Sequence, residues 1–270
     1  MQRILSLMAA RHGFDFGGYR RSSLERRIRS RADALGIPDI SAYLDYLRTR
    51  PAEATALLDT LFVHVTSFFR DPEVWTTLAR LSLLPLRCRA RDGDAIRIWN
   101  PGCATGEETY TLLMVLEKVI GADAMRRGVR IIATDIDARA IAVANRGAYR
   151  ADQLASVPPT LRDTYFRFSG SEYTFRSDLR DVVHFHTHDL VHSAPVPDVD
   201  LVICRNTLMY FDSDTRRRVL LGIHRAARPG GHIFVGRTES LLAHTDRFRP
   251  VDYAARIFER APVSSGGIAG

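Results

Sequence analysis

The stretch IRIWNPGCATGEETYTLLMVLEK, residues 96–118, decides the fold of this chain. It begins with β-branched and aromatic residues that are typical of a buried strand, and it ends as a helix with Leu112 and Leu116 at helical spacing. Between them lies a tight turn that contains Gly102 and Gly106. A glycine turn at this place lets a ligand approach the backbone at the positive end of a helix. The stretch therefore predicts the first half of a nucleotide-type binding site.

A second half follows in VRIIATDID, residues 129–137, which reads as a buried strand that ends in two acids. An acid at the tip of the second strand of such a unit typically accepts hydrogen bonds from ribose hydroxyls. Asp137 is better spaced to cap the helix that follows, which leaves Asp135 for the ribose. The two halves together predict a ligand that contains adenosine.

The glycine turn also narrows the choice of ligand. Its Gly-x-x-x-Gly pattern departs from the dinucleotide fingerprint and lacks the Gly-Lys-Ser/Thr ending of a phosphate loop. Glu107 and Glu108 follow the second glycine, where a phosphate would be repelled. Acids there suit S-adenosylmethionine (SAM), which carries an ammonium, a sulfonium and a ribose but no phosphate. The residues favour a SAM-dependent methyltransferase, and they leave open a nucleotide-dependent oxidoreductase and a non-catalytic sensor.

A third strand end carries polar residues. VDLVICRNTLMYF, residues 199–211, reads as a buried strand that ends in Arg205 and Asn206, and open α/β sheets bind ligands at this end of their strands. The alternative is a turn with a surface arginine. Tyr210 lies a few residues further on and could form a wall of a methyl-transfer pocket. The Asn/Asp-Pro-Pro-Tyr motif of amide and amine methylation is absent from this place.

The pattern of strands and helices predicts the fold class. From about residue 94 the two alternate, which indicates an α/β fold with a doubly wound, mostly parallel sheet. The alternation gives strands at 95–99, 129–134, 199–204, 231–236 and 255–259, and helices at 107–119, 137–146 and 213–227. Residues 148–190 break the alternation and predict an inserted antiparallel β-subdomain at about 150–188.

The N-terminal part has no good strand candidates, and it predicts a small all-α domain over residues 1–80. Helices are expected at 22–35, 39–47 and 51–62, with another that starts at Asp71-Pro72-Glu73. Ser22 and Glu25 stand three residues apart, as in a capping box. We expect a linker at 81–93, the main domain at 94–262 and a disordered Ser/Gly-rich tail at 263–270.

Composition excludes several classes of protein. With 270 residues, 46% of them hydrophobic, the chain can form one core and a small satellite domain. No apolar run approaches the about 18 residues that a membrane span needs. Three cysteines without a CxxC pair indicate a reducing cytoplasm. His184, His186 and His188 alternate and could ligate a metal, but no acid or cysteine cluster accompanies them, so we predict no metal site.

The net charge of +7 is concentrated in one predicted helix. Residues 20–31 contain six arginines and one acid. This composition is typical of a solvated helix face or of a docking surface for an acidic partner. Nucleic acid is not expected, because no known DNA-binding motif is present.

Five ordered blocks of this sequence resemble the chemotaxis receptor methyltransferases (CheR-type protein-glutamate O-methyltransferases). The blocks are HVTSFFRDPEVW (64–75), IWNPGCATGEETYTL (98–112), ATDIDARAIAVANRGAY (133–149), CRNTLMYFD (204–212) and PGGHIFVGRTESL (229–241). The resemblance runs from about Gly13 to Phe258. It implies a helical N-terminal domain joined to a class I SAM methyltransferase domain with a small β-subdomain inserted, which agrees with the division above.

The resemblance also implies roles for individual residues. Arg70 is expected to pair with the cofactor carboxylate or the substrate glutamate, and Arg70, Tyr210 and Arg205 are implied as the catalytic set. Arg27 and Arg31 match the helix that faces the receptor. The implied cofactor-binding set is His64, Thr66, Arg70, Gly102, Glu108, Asp135, Asp189, Leu190, Arg205 and Asn206. Thr66 and Arg70 would reach the cofactor from the N-terminal domain. His64 and Asp189 stand where the family has asparagine.

The function that the resemblance implies is methyl ester formation on glutamate side chains of chemoreceptors, with SAM as cofactor and S-adenosylhomocysteine (SAH) as product. The expected partner is the cytoplasmic domain of a methyl-accepting receptor, and the expected enzyme is a cytoplasmic monomer without membrane insertion. A glutamate carboxylate is already ionised at neutral pH, so the sequence needs no catalytic dyad or triad. A non-catalytic SAM- or SAH-binding signalling module and a small-molecule carboxyl methyltransferase remain as alternatives.

Overall fold

The computed structural model describes residues 1–62 and 65–262, the side chain of Arg91 excepted. These residues divide into two compact units. The first unit contains 1–62 and Met209–Arg218, and the second contains Val65–Leu208 and 219–262. The division therefore falls ahead of the predicted boundary at residue 80, and the predicted tail at 263–270 lies outside the described residues.

The first unit is helical, as predicted. Its helices are α1 (Gln2–His12), α2 (Arg21–Ala34), α3 (Ile40–Thr49) and α4 (Pro51–Leu61). Asp39 caps α3, because its carboxylate accepts hydrogen bonds from the N–H groups of Ser41 and Ala42. The predicted capping box of Ser22 and Glu25 is wrong: α2 already begins at Arg21 and has no side-chain cap.

A buried carboxylate joins three helices of this unit. Glu53 on α4 is 8% exposed, and it accepts hydrogen bonds from Arg31 Nε (2.8 Å) and Nη2 (2.7 Å) on α2. It also accepts one from the buried Tyr43 hydroxyl on α3, at 2.8 Å. The bidentate bond from Arg31 holds the pKa of Glu53 below its ordinary value.

The second unit contains a mixed sheet, a small antiparallel sheet and the remaining helices. The helices after α4 are α5 (Pro72–Leu78), α6 (Leu84–Arg91), α7 (Glu107–Ile120), α8 (Ala122–Gly128), α9 (Ala138–Arg146), α10 (Pro159–Tyr165), α11 (Ser177–Arg180) and α12 (Ser213–Ala226). The strands are β1 (Ile96–Pro101), β2 (Val129–Asp135), β3 (Ala148–Tyr149), β4 (Phe166–Ser169), β5 (Glu172–Phe175), β6 (Val183–Thr187), β7 (Val199–Cys204), β8 (Ala227–Val235), β9 (Phe248–Asp252) and β10 (Ile257–Arg260).

The large sheet has the order β6-β2-β1-β7-β8-β10-β9. The first five strands in this order, β6, β2, β1, β7 and β8, are parallel to one another. Strand β10 is antiparallel to both of its neighbours, β8 and β9. The chain winds outward from β1 through β2 on one side and from β7 through β8 on the other. Right-handed crossovers in opposite directions place their helices on opposite faces, so the predicted doubly wound α/β fold is confirmed. The strand order reverses between β1 and β7, and the glycine turn follows β1.

The inserted antiparallel sheet is present, in the order β3-β5-β4, but it is shorter than predicted. Residues 183–187 belong instead to the large sheet, where β6 pairs in parallel with β2. The reason is the alternation of side chains: Val183 and Phe185 pack against the core, while His184 and His186 are exposed. The histidines thus form the solvent side of an edge strand.

The predicted linker at 81–93 is wrong in its larger part. Residues 79–83 form a π-helical turn that leads into α6. Leu83 and Ala90 are buried in the core of the second unit, which explains why this arginine-rich segment is ordered.

Edge strand β9 was not predicted; it contains Pro250, which edge strands tolerate. In the described residues, no helix is long and apolar enough to cross a membrane.

Replacement of Glu53 by Gln tests the buried network of the first unit. We expect the free energy of unfolding to fall by about 2–4 kcal/mol, because Arg31 would lose its buried partner. The carboxylate contribution is present above the ordinary pKa of Glu53 and is lost as the pH falls through the lowered pKa. Urea titrations at pH 7 and pH 3 measure both effects. The control is Asp45→Asn, which breaks an exposed pair with Arg48 and should cost below about 0.5 kcal/mol.

Candidate active site

The glycine turn and the end of β2 lie against each other, as the sequence predicted. The N–H groups of Gly102 and Cys103 both donate to Thr134 O, at 2.7 and 3.0 Å. The next N–H group, that of Ala104, donates to Asp135 Oδ2 at 2.9 Å. Asp135 is 9% exposed, so its carboxylate lies at the floor of this turn and not on the surface.

These hydrogen bonds decide which ligands the turn can hold. The N–H of Gly106, at the start of α7, also bonds inside the turn, to Cys103 O at 3.0 Å. A phosphate site at a helix N-terminus requires N–H groups that point at the ligand. Here the N–H groups of residues 102, 103, 104 and 106 are all bonded within the protein, so the turn does not present them to a phosphate. This geometry argues against a dinucleotide.

Both positions in the turn require glycine, because neighbouring atoms lie too close for a Cβ atom. Gly102 has a φ of 73°, and a Cβ there would lie 2.2 Å from Thr207 Oγ1. Gly106 has a φ of 97°, and a Cβ there would lie 2.9 Å from Ala144 Cβ. The loop after β7 therefore packs directly on the glycine turn, which gathers the ends of β1, β2 and β7 into one site.

The site is strongly acidic. Burial raises the pKa of the Cys103 thiol well above its ordinary value, and the charges of Asp135, Glu108 and Glu107 raise it further. Burial likewise raises the pKa of Cys204, so neither thiol supplies a thiolate. In the described residues, no group of three or more His, Cys, Asp or Glu side chains could hold a metal ion. The negative charges of Asp135, Glu108 and Glu107 suit a cationic ligand.

Glu108 is held by two donors. Asn100 Nδ2 donates to its Oε1 and Arg205 Nη1 to its Oε2, both at 3.0 Å. Burial raises the pKa of Glu108, while Arg205 and Asn100 oppose the shift. Asn100 itself is fully buried and fixed by bonds to Ile203 O (2.8 Å) and from Thr109 Oγ1 (2.6 Å). Asn100 is not among the residues that the sequence predicted for the site, although its position at the carboxyl end of a strand was the available signal.

Arg205 connects β7 to the segment that precedes α5. Its side chain is 1% exposed, and Nη2 donates to Asp71 Oδ2 (2.7 Å) and to Arg70 O (3.2 Å). The guanidinium also lies 4.8 Å from the ring centroid of Phe234. Its Nε is buried and has no hydrogen-bond partner among the described residues. Arg205 thus binds Asp71 and Glu108 together.

The segment before α5 is strained and firmly held. Phe69 and Asp71 have positive φ values of 49° and 53°, which non-glycine residues rarely adopt. The N–H of Phe69 donates to Thr111 Oγ1 on α7 at 3.0 Å. Asp71 does not cap α5 as predicted, because its carboxylate pairs with Arg205. Thr66 and Arg70 belong to this second unit, and the expectation that they reach the site from the N-terminal domain is corrected.

The segment after β6 also reaches this end of the sheet. The N–H of His188 donates to Asp135 O at 2.9 Å, so the chain passes β2 just before Asp189 and Leu190. The Asp189 carboxylate bonds locally, to the N–H of Val191 (2.8 Å) and to His192 Nδ1 (2.8 Å). Leu190 is half-buried.

Three of the other predicted residues, Tyr210, Arg27 and Arg31, lie in the first unit. Tyr210 belongs to the first unit, where Arg27 Cζ lies 5.2 Å from its ring centroid. Arg27 Nη1 also donates to Leu61 O at 2.8 Å, and Arg31 is bonded to Glu53. Predicted docking residues Arg27 and Arg31 are therefore both bonded inside their unit. His64 lies outside the described residues.

The two parts of the chain match two domains of one protein family. Residues 64–257 match the CheR methyltransferase, SAM binding domain, and residues 1–62 match the CheR methyltransferase, all-alpha domain. The chain belongs to the CheR methyltransferase family. The matched domain identifies SAM as the cofactor. The site fits it: the turn is acidic, its N–H groups are unavailable to phosphate, and the buried Nε of Arg205 can donate to a carboxylate.

Relatives in several bacteria share most of this chain. A probable biofilm formation methyltransferase, WspC, of Pseudomonas aeruginosa is 32% identical over 92% of this chain and 59% of its own length. Chemotaxis protein methyltransferase 2 of Vibrio cholerae is 31% identical over 88% of this chain and 85% of its own length. An uncharacterized 104.1 kDa protein of Rhodobacter capsulatus is 34% identical over 95% of this chain. The chain spans 27% of that protein and 59% of WspC, which is less than two thirds of each.

Asp71→Asn tests whether the Arg205 network positions the cofactor site. Asparagine tolerates a positive φ, so the substitution removes the charge with little added strain. We expect SAH to bind about tenfold more weakly, because the buried Arg205 loses one of its two carboxylate partners. Isothermal titration calorimetry measures the affinity. Glu73→Gln is the matched control, since this exposed acid two residues away shares the surface Arg237 with Asp71, whereas the pair with Arg205 belongs to Asp71. Equal affinities in the two variants would contradict the network.

Proposed function

We propose that this chain transfers the methyl group of SAM to glutamate side chains of a protein and forms methyl esters, and that the acceptor is the cytoplasmic domain of a chemoreceptor. One observation carries the choice of a carboxylate acceptor: the carboxylates of the acidic site are already hydrogen-bonded. Glu108 accepts from Asn100 and Arg205, and Asp135 accepts from the N–H groups of Ala104 and Asp137.

This arrangement favours an acceptor that needs no proton removed. A hydroxyl or ammonium acceptor would require a general base within hydrogen-bond reach. A glutamate carboxylate has a reference pKa of about 4.3 and is already ionised at neutral pH. The buried thiols of Cys103 and Cys204 are protonated and do not compete as nucleophiles.

When bound, SAM supplies a methyl group that moves to the carboxylate oxygen as the carbon–sulfur bond breaks, and no proton is transferred. The protein therefore contributes placement and charge. Glu108 and Asp135 provide negative charge for the cationic cofactor. Arg70 lies between the strained residues Phe69 and Asp71 and is half-buried, with Nη1 bonded to Val65 O at 3.0 Å. This cation beside the acidic site is suited to orient an acceptor carboxylate.

The docking surface that we propose differs from the predicted pair of arginines. Arg27 and Arg31 are bonded internally, whereas Arg26 and Arg29 on the same helix α2 are exposed. Exposed arginines can attract an acidic receptor helix at long range. The assignment of a receptor as the partner is supported by the name of the relative from Vibrio cholerae, a chemotaxis protein methyltransferase.

Methyl transfer to receptor fragments tests the proposed activity. With radiolabelled SAM, we expect label on the fragment that alkali releases as methanol, as a carboxyl ester would. Arg70→Ala should reduce turnover by at least about 100-fold, because the acceptor loses its orienting cation. Arg80→Ala, at an exposed arginine outside the site, is the control. Base-stable label would exclude ester formation, and binding of SAH without any transfer would support the signalling module.

Reversal of charge on α2 tests the docking surface. The double variant Arg26→Glu, Arg29→Glu should raise KM for the receptor fragment about tenfold and leave kcat unchanged, since neither residue belongs to the site. For the unmodified chain KM should rise with salt, and this dependence should be weaker in the variant. The control is Arg225→Glu, at an exposed arginine of α12. An equal KM in the double variant and the control would exclude docking on this face.

A further inference from the structure

A buried carboxylate outside the predicted site joins the ends of two strands. Glu239 is 5% exposed. Its Oε2 atom accepts hydrogen bonds from the N–H of Asn206, just after β7, and from the N–H of Gly236, just after β8, both at 2.8 Å. A single oxygen atom thus fixes two neighbouring turns at the carboxyl end of the sheet.

The turn after β7 places Asn206 at a φ of 59°, in the left-handed region. Asparagine tolerates this region better than most residues, and the hydrogen bond from its N–H to Glu239 selects it over the extended alternatives. Arg205, immediately before it, is the residue that binds Asp71 and Glu108. A change in the backbone at Asn206 would therefore displace both the buried guanidinium and the amide side chain that was predicted to bind the cofactor.

The contact between the two turns is too close for any side chain. A Cβ on Gly236 would lie 2.8 Å from Glu239 Oε2 and 2.9 Å from Asn206 N. The absence of a side chain at Gly236 lets the carboxylate reach both N–H groups. The charge of Glu239 also acts on the site, because it adds to the effect of burial in raising the pKa of Glu108 and of Cys204.

We propose that Glu239 is a positioning residue for the methyl-transfer site. Its carboxylate holds Asn206 in the left-handed conformation and so sets the placement of Arg205 and Asn206 toward the cofactor. Glu239 acts through these two residues. The inference rests on the proposed function, since it assumes that the site binds SAM and SAH.

Strand β7, whose carboxyl end leads to Asn206, offers a matched control at its amino end. Asp200 on β7 is also a buried carboxylate, 6% exposed. Its Oδ2 accepts a hydrogen bond from the N–H of Arg97 at 2.9 Å, and its Oδ1 pairs with Arg228 at 2.7 Å and with Arg89. Asp200 lies at the amino end of β7, whereas ligands bind at the carboxyl end. Loss of its charge should lower stability without a specific effect on the cofactor.

The test compares SAH affinity by calorimetry with Tm and with kcat and KM for SAM. Glu239→Ala should weaken SAH binding about 30-fold, and Gly236→Ala should weaken it about tenfold because the added methyl group separates the carboxylate from Asn206. Glu239→Gln should stay within about threefold of the unmodified chain, since its amide oxygen can accept both N–H groups. Asp200→Asn should lower Tm and leave the SAH affinity within about twofold.

The outcomes separate the inference from the proposed function. If the unmodified chain does not bind SAH, the proposed function fails. If the unmodified chain binds SAH and a folded Glu239→Ala variant binds it equally well, Glu239 is only structural and the inference is wrong. If Glu239→Ala does not fold, Gly236→Ala decides, because it keeps the carboxylate: unchanged affinity there rejects the inference, and weakened affinity with rescue in Glu239→Gln supports it.

Discussion

The buried guanidinium of Arg205 is the interaction on which the site depends. It lies at the carboxyl end of β7 and binds Asp71 ahead of α5 and Glu108 on α7. A buried charge is costly unless it is paired and hydrogen-bonded, and removal of one partner leaves an uncompensated charge behind. Since Arg205 has carboxylate partners on two elements, the strand end, the helix and the strained segment before α5 hold one another in place.

Backbone strain is concentrated in the site that this guanidinium helps to hold together. Among the described residues, six non-glycine residues have a positive φ. Four of them belong to the site, namely Phe69, Asp71, Ala104 and Asn206. Such conformations persist where neighbouring contacts compensate for their cost. Here the contacts are side-chain acceptors for backbone N–H groups, as Thr111 is for Phe69 and Glu239 is for Asn206. The strain thus accompanies a site whose geometry is determined by polar contacts.

The parts of the fold that the sequence predicted are those with a local cause. The strand over 199–204 follows from a short run of mostly apolar residues and the cap at Asp137 from its spacing to the next helix, and both are present. The glycine turn was also recognisable, because two glycines separate a strand pattern from a helix pattern. Its ligand preference followed from the acids beside it.

What the sequence did not predict depends on partners that are distant in the chain. Asp71 has the spacing of a helix cap, but its carboxylate pairs with an arginine 134 residues away. The strand at 183–187 resembled part of a hairpin, yet it pairs with β2, about 50 residues earlier. Glu239 lies in the block at 229–241, but it belongs to no predicted strand or helix, and only the folded chain places it between two strand ends. Local propensity carries no information about such pairs.

The charges of the site divide into two roles. Carboxylates around the glycine turn favour a cationic cofactor, and on the proposed function Arg70 orients an anionic acceptor. An acceptor that is already ionised requires no proton transfer, so the rate depends on how closely oxygen, methyl carbon and sulfur can be aligned. A displacement of about 1 Å can cost about 100-fold in rate even when it arises outside the reacting groups. On the proposed function, residues that hold the site together, such as Asp71 and Glu239, are therefore expected to affect this rate although they act through their neighbours.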